Sequence, residues 1–354
     1  MTNLFFDLDG TLTHSHEGIV RCIQHALSVC GTEPPPAALE LVRCVRPPLR
    51  ESYASLLGTV EYARLDGAMA AYRARFDTIG ILEKMSGPDP VRVKPDTTYI
   101  HGTGPGEQER LAALNRLTNA AFVAFLNVQA GARVLEVGSG LGMLAGDVRA
   151  AGPDIHVMGV EQSSTQITAA VKHPHVRYIR GDAHCLPLRA GTFDLVYARY
   201  VLEHVADPQA VVKEMRRVTC PGGRVAACEN DVSLMRLDPA CPAFEGVWLA
   251  FQQHQKNLGG DSLVGRGLYR LFRSAGFSTI ELSVQPEVHW HGSAGFAAWL
   301  ENLVGNIESA RRGLLKSGLC TERQLDTAVG ELRCAGNDVN ASSHFMWNRA
   351  IAVR

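Results

Sequence analysis

Apolar and polar positions change period along this chain, and the changes lay out its elements. From residue 133 onward, short apolar runs that end at a glycine or an acid alternate with stretches whose apolar residues recur every three or four positions. The runs 133–137, 155–160, 176–180, 193–198 and 224–229 are short and apolar enough to be strands buried on both faces. Helical spacing occupies 143–151 and 208–218 between them, the latter opening on Pro208. Strand, helix, strand in repetition predicts an α/β fold with a doubly wound, mostly parallel sheet. Upstream, a helix over 107–126 carries Leu111, Leu114, Leu117, Ala121 and Phe125 on one face. Downstream, the pattern predicts helices at 243–257, 268–275, 295–317 and 321–335 and strands at 277–284 and 345–353.

The N-terminal part reads differently. An apolar strand within residues 3–13 is followed by helical segments at 17–29, 37–45 and 60–76. Ser86-Gly87-Pro88-Asp89-Pro90 and then Lys94-Pro95-Asp96 make the best linker on composition. The expected organisation is an N-terminal helical segment over 1–85, a linker over 86–98 and an α/β domain over 99–354. An insertion at 231–275 is expected to build an acceptor pocket. A length of 354 residues accommodates two such units.

Composition narrows the function. Hydrophobic residues make up 46% and charged residues 20%, and 35 basic against 36 acidic residues leave a net charge of −1. With no basic cluster and no aromatic interleaving, neither nucleic acid nor an anionic membrane is an expected partner. No apolar run reaches the roughly 18 residues of a membrane span, and no basic region precedes a cleavable apolar segment, so a cytoplasmic location is expected. The nine cysteines are scattered without a C-x-x-C pair, which predicts reduced, mostly buried thiols rather than a zinc site.

The chemistry concentrates after the first predicted strand of the α/β domain, in Glu136-Val137-Gly138-Ser139-Gly140-Leu141-Gly142. Glycines at alternate positions let the backbone approach a ligand, and the helix that follows presents free N–H groups. A dinucleotide fingerprint needs its third glycine at position 143, which is Met143. The spacing E-x-G-x-G-x-G instead resembles the class I S-adenosylmethionine-dependent methyltransferases, whose first motif it is, and the likeness extends over about residues 99–285. Glu161 stands 19 residues after Gly142 at the carboxyl end of the next strand, where an acid can accept both ribose hydroxyls. Asp182, in Gly181-Asp182-Ala183, resembles the family's adenine-contacting acid. The resemblance implies a Rossmann-like fold with S-adenosylmethionine held by Glu136, Gly138, Ser139, Gly140, Gly142, Glu161, Gln162, Asp182, Ala183 and Arg199. Tyr99 either covers the methionine end or, with His101, only fixes a loop.

The first segment carries a second resemblance. Asp7-Leu8-Asp9-Gly10-Thr11 is similar to the first motif of haloacid dehalogenase-like phosphatases, where the residues at Asp7 and Asp9 would be nucleophile and general acid/base around Mg²⁺. The likeness continues through the helical, cap-like stretch and stops near Leu82. The later Ser/Thr, Lys and acidic pair of that family have no counterparts in order. A phosphatase remnant serving as lid or interaction surface is the expected state.

Methyl transfer from a sulfonium needs an aligned acceptor and, for a protonated acceptor, a base. Tyr200 is expected beside the sulfonium through cation–π attraction, and His204, Asp231 and Ser233 are the candidates to take or hold a proton. A small-molecule methyltransferase of specialised metabolism is the leading expectation, with S-adenosylhomocysteine as co-product. The alternative is a cyclase of the same fold that closes S-adenosylmethionine to azetidine-2-carboxylate and releases methylthioadenosine. A haloacid dehalogenase-type phosphatase and a non-catalytic S-adenosylmethionine-binding protein are further alternatives, the long C-terminal helices offering a homodimer surface. His289 and His291 would share one side of a strand, as a metal pair or as a satisfied strand edge. No metal is expected.

Overall fold

The computed structural model describes residues 16–31, 49–57, 61–75, 100–102 and 104–354. The D-x-D-G-T motif with Asp7 and Asp9, the predicted helix at 37–45, the linker at 86–98 and Tyr99 lie outside the described residues. The chain divides into two compact units, Met1–Arg92 with Pro187–Arg189, and Val93–Leu186 with Ala190–Arg354.

In the first unit, helices α1 (His16–Val29), α2 (Leu49–Leu57) and α3 (Tyr62–Arg75) enclose a small core. Ile23, Leu27, Tyr53 and Leu65 are buried in it, and the Tyr53 and Tyr72 rings meet edge to face at 6.4 Å. Apolar burial in this cluster joins the three helices.

The second unit begins with α4 (Pro105–Leu126), whose first position is Pro105, where a missing N–H costs nothing. There follow β1 (Arg133–Val137), α5 (Met143–Ala150), β2 (His156–Glu161), α6 (Ser164–Ala169), β3 (Val176–Arg180) and β4 (Phe193–Arg199). Next are α7 (Pro208–Val218), β5 (Thr219–Glu229), β6 (Arg236–Asp238), α8 (Pro242–Asn257), α9 (Leu268–Ser274) and β7 (Thr279–Trp290). Helices α10 (Phe296–Lys316) and α11 (Glu322–Asn337) and strand β8 (Ser342–Val353) complete it. The neighbouring strands β3, β2, β1, β4 and β5 run parallel, and the order reverses between β1 and β4. Strand β8 lies antiparallel to β5, β6 and β7. This is the predicted α/β doubly wound, Rossmann-like sheet with an antiparallel margin.

Central strands earn their place by burial: Val134, Leu135 and Val137 of β1 are fully buried. Helix α7 is closed by Asp207, whose carboxylate accepts from the Ala210 N–H, and it buries Val211, Val212, Met215 and Val218 against the sheet. Two elements exceed the pattern. Strand β7 runs to Trp290 rather than stopping at 284, because β8 pairs with it over its whole length. The short β6 makes three pairings to the start of β8, and its Leu237 packs against the core. Among the described residues, no helix is long and apolar enough to cross a membrane.

Candidate active site

Ligands of open α/β sheets bind beyond the carboxyl ends of the strands where their order reverses. One cavity of the second unit lies there, between the ends of β1, β2 and β4 and helices α4, α8 and α10. Its floor is the turn from β1 into α5. Gly142 caps α5 at φ 73°, and a Cβ on it would collide with the Tyr178 hydroxyl, so glycine is required on both counts. Gly140, at φ 50°, faces open space: a Cβ there would meet nothing closer than Gln166 Oε1 at 3.9 Å and would fill the cavity instead.

Three acids reach this floor from neighbouring strands. Glu136 is buried, and its Oε2 has no hydrogen-bond partner. Burial pushes its carboxyl up to about 8, with the Arg199 charge working against the rise. Glu161 accepts from the Gly140 N–H at 2.9 Å and the Ser163 N–H at 2.8 Å, which fixes the carboxylate across the glycine turn. Asp182 accepts from the backbone N–H of His184 at 2.8 Å through Oδ1, which also lies 2.7 Å from that ring's Nδ1. Ser139, Gln162 and Ala183 line the same space.

Strand β4 delivers the next group. Arg199 lines the cavity, yet its guanidinium is held by α4, donating to Asn115 Oδ1 at 2.5 Å, Asn119 Oδ1 at 2.6 Å and Thr118 Oγ1 at 3.2 Å. It therefore ties α4 to the sheet at the cavity wall. Tyr200 takes a left-handed backbone conformation, φ 58°, that turns its ring onto Trp347 at 4.4 Å beside the cavity. His204 also lines the cavity, with Gln255 Nε2 3.3 Å from its Nδ1 and Glu203 Oε1 3.7 Å from its Nε2. Burial lowers its affinity for a proton, partly offset by Glu203 and Glu107.

Asp231 and Ser233 do not belong to this cavity. Arg266 grips Asp231 with two hydrogen bonds of 2.7 and 2.9 Å and reaches Ser233 Oγ at 2.7 Å, while that hydroxyl donates to Asp231 at 2.6 Å. Burial works to raise the Asp231 carboxyl, but Arg266 and Ser233 overrule it and hold it below the usual carboxylate range. A carboxylate so stabilised is a poor base, and neither Asp231 nor Ser233 is among the residues lining the cavity. The His-x-His pair resolves as a strand edge. His289 bonds Glu287 at 2.6 Å and stacks on Trp299, and His291 lies past the end of β7. Among the described residues no cluster of three His, Cys, Asp or Glu side chains could hold a metal.

The pocket also extends past the insertion expected at 231–275. Trp299, Asn302 and Leu303 of α10 and Phe345 and Trp347 of β8 complete its wall. Their helical or alternating spacing is that of any core residue, so the sequence carried no signal for them. His101 and Arg110 likewise line it, from the loop before α4 and from α4.

Residues 135–227 match the family described as a methyltransferase domain. An uncharacterised 37.1 kDa protein in transposon TN4556 of Streptomyces fradiae is 32% identical over 57% of this chain and 59% of its own length. A demethylmenaquinone methyltransferase of Halalkalibacterium halodurans is 32% identical over 38% of this chain and 56% of its own. The chain thus spans less than two thirds of these relatives. Among solved structures, the YcgJ protein of Bacillus subtilis superposes at TM-score 0.44 with 16% identity, covering 67% of this chain and 97% of that one.

Proposed function

We propose that this chain is an S-adenosylmethionine-dependent methyltransferase with a small-molecule acceptor. The observation that carries the reading is the meeting of Glu136, Glu161 and Asp182, from three adjacent parallel strands, around the open space above Gly140. The set suits the nucleoside. A buried carboxyl oxygen without a partner and a glycine whose missing Cβ leaves room are what a cationic amino acid tail and a close backbone approach require. Glu161 would take the ribose hydroxyls, Asp182 the adenine amine, and Glu136 the ammonium end. The match to the methyltransferase-domain family over residues 135–227 supports the same assignment.

When bound, the sulfonium supplies an electrophilic methyl carbon. The chain's own contribution is alignment and exclusion of water: the glycine turn and three acids hold one side, and helices α4, α8 and α10 close the other. Near-attack alignment of this kind supplies much of the rate of a displacement. The test is to incubate the protein with S-adenosylmethionine, with and without a panel of acceptors, and separate the nucleoside products. Acceptor-dependent S-adenosylhomocysteine is expected. Methylthioadenosine and azetidine-2-carboxylate formed together without any acceptor would instead favour the intramolecular cyclisation.

A further inference from the structure

Strand β7 wears its polarity inside out. Alternate side chains of an antiparallel strand at a sheet margin ordinarily put apolar residues against the protein and polar ones in water. In β7, Gln285, Glu287 and His289 stand opposite Trp347, Phe345 and Ser343, all three of them buried. These polar groups are satisfied within the protein: Glu287 bonds the His289 ring at 2.6 Å and accepts from the Trp347 indole at 3.1 Å, and Gln285 accepts from Arg349 at 3.0 Å. The other face of the strand is therefore left to Leu282, Val284, Pro286, Val288 and Trp290.

Strand β8 widens that outward face. Met346 lies opposite Pro286 in the register, and Leu282, Val284, Val288, Trp290 and Met346 each leave 40–58% of their surface in water. From Leu282 to Trp290 the stripe is about 27 Å long. The remaining positions of this face opposite it are Ser342, His344, Asn348 and Ala350, so among the described residues no Lys, Arg, Asp or Glu belongs to it.

The area is that of an interface. Together the five side chains expose about 400 Å² of apolar surface, a size at which contiguous patches mark contact with another molecule. Interfaces are roughly 57% apolar, so a footprint carrying that much covers about 700 Å² on each copy and about 1,400 Å² in all. Specific complexes bury about 1,200–2,000 Å². The face supplies what a stable dimer needs.

A second copy of the chain fits this surface best. A two-fold contact sets a patch against itself, so each charge on it would meet its own like. A face without charges carries no such penalty. Pairing along the free edge of β7 is the poorer route, because Pro286 at its middle has no N–H to donate. A membrane is the wrong partner by sign, since interfacial binding draws on Lys and Arg beside the apolar stripe, and the acidic residues of β7 are Glu281 and Glu287.

We propose that the outward face of β7 and β8 is the interface of a homodimer, in which two copies stack these ribbons face to face across a two-fold axis. The inference is independent of the S-adenosylmethionine reading. It bears on the candidate site all the same, because Phe345 and Trp347, on the opposite face of the same ribbon, form part of the cavity wall. The contact would brace that wall from behind.

Sedimentation velocity of the full chain over about 1–50 µM tests this. A dimer is expected, with a dissociation constant that changes less than about threefold between about 0.05 and 0.5 M NaCl, since the contact holds no charge pair to screen. Val284→Arg and, separately, Val288→Glu each put an unpaired charge into the contact. Each is expected to weaken dimerisation at least tenfold while unfolding stays cooperative, and if one variant fails to fold the other carries the comparison. Leu249→Arg, which charges an exposed apolar side chain of α8 outside the ribbon, is expected to leave the dimer intact. A monomer at every concentration, a dimer that both ribbon variants leave unchanged, or one that salt dissociates would overturn the proposal. Monomers that co-sediment with phosphatidylcholine and phosphatidylserine vesicles, and lose that binding in Val284→Arg, would overturn it as well and assign the face to a membrane.

Discussion

Glu161 and Glu136 do opposite things with the same functional group. Glu161 is tied by two backbone N–H donors and stays a hydrogen-bond acceptor poised over the glycine turn. Its replacement by Ala is expected to weaken S-adenosylhomocysteine binding by about tenfold to a hundredfold, the range for losing hydrogen bonds to a charged group, measurable by calorimetry. Glu136 sits with one oxygen unpartnered, and burial lifts it from 4.5 to about 8; Glu229 is lifted equally by burial and by neighbouring Glu203. A carboxyl whose folded value is raised binds more protons folded than unfolded, so its contribution is lost as pH rises from the unfolded toward the folded value. Buried His101 and His204, with lowered values, act in the opposite sense below their ordinary 6.5. The carboxyl effect is therefore isolated between pH 7 and 8.5, where the melting temperature of the unliganded protein is expected to fall. Glu136→Gln should remove about half of that slope, Glu229 supplying the rest, and a melting temperature constant or rising over this window in the unsubstituted protein would refute the assignment. The positions of Glu136, Glu161 and Asp182 were readable because each lies at or within two residues of the carboxyl end of a strand that the apolar runs had already marked. The partner of Asp231 was not readable, because nothing in its local sequence points to Arg266, 35 residues on and joined to it by two hydrogen bonds.

Helix α4 shows how one side chain can position an element. Arg199, at the end of β4, holds Asn115, Thr118 and Asn119 on successive turns of the helix and lies 5.4 Å over the Phe122 ring. Replacing it by Leu strands several buried acceptors, an expected loss of about 3 kcal/mol. Urea unfolding should report that loss, and amide exchange should accelerate selectively over residues 105–126. Unchanged exchange there would mean that apolar packing alone seats the helix. The sequence marked α4 and its apolar face but not its partner, since an arginine at a strand end reads equally as a ligand contact. The same holds for α10 and β8. Their periodicity predicted a helix and a strand well, while the fact that Trp299 and Trp347 turn toward a cavity depends on packing between elements far apart in the chain.

At the scale of the whole molecule, the parallel strands, their order reversal and the glycine turn generate the site together. Strand, helix and glycine spacing are local properties, which is why this much of the fold was legible in advance. The cavity walls include residues 101, 248, 299 and 347, and no local pattern connects those positions. The most direct measurement of the central claim is a calorimetric titration of S-adenosylhomocysteine into the full chain, repeated with Gly140→Trp, which places a large side chain in the space left open above that glycine. Saturable one-to-one binding that the Trp substitution abolishes, in a protein that still unfolds cooperatively despite the strain of a side chain at φ 50°, is the predicted result. No binding by the unsubstituted protein, or binding that Gly140→Trp leaves untouched, would contradict it.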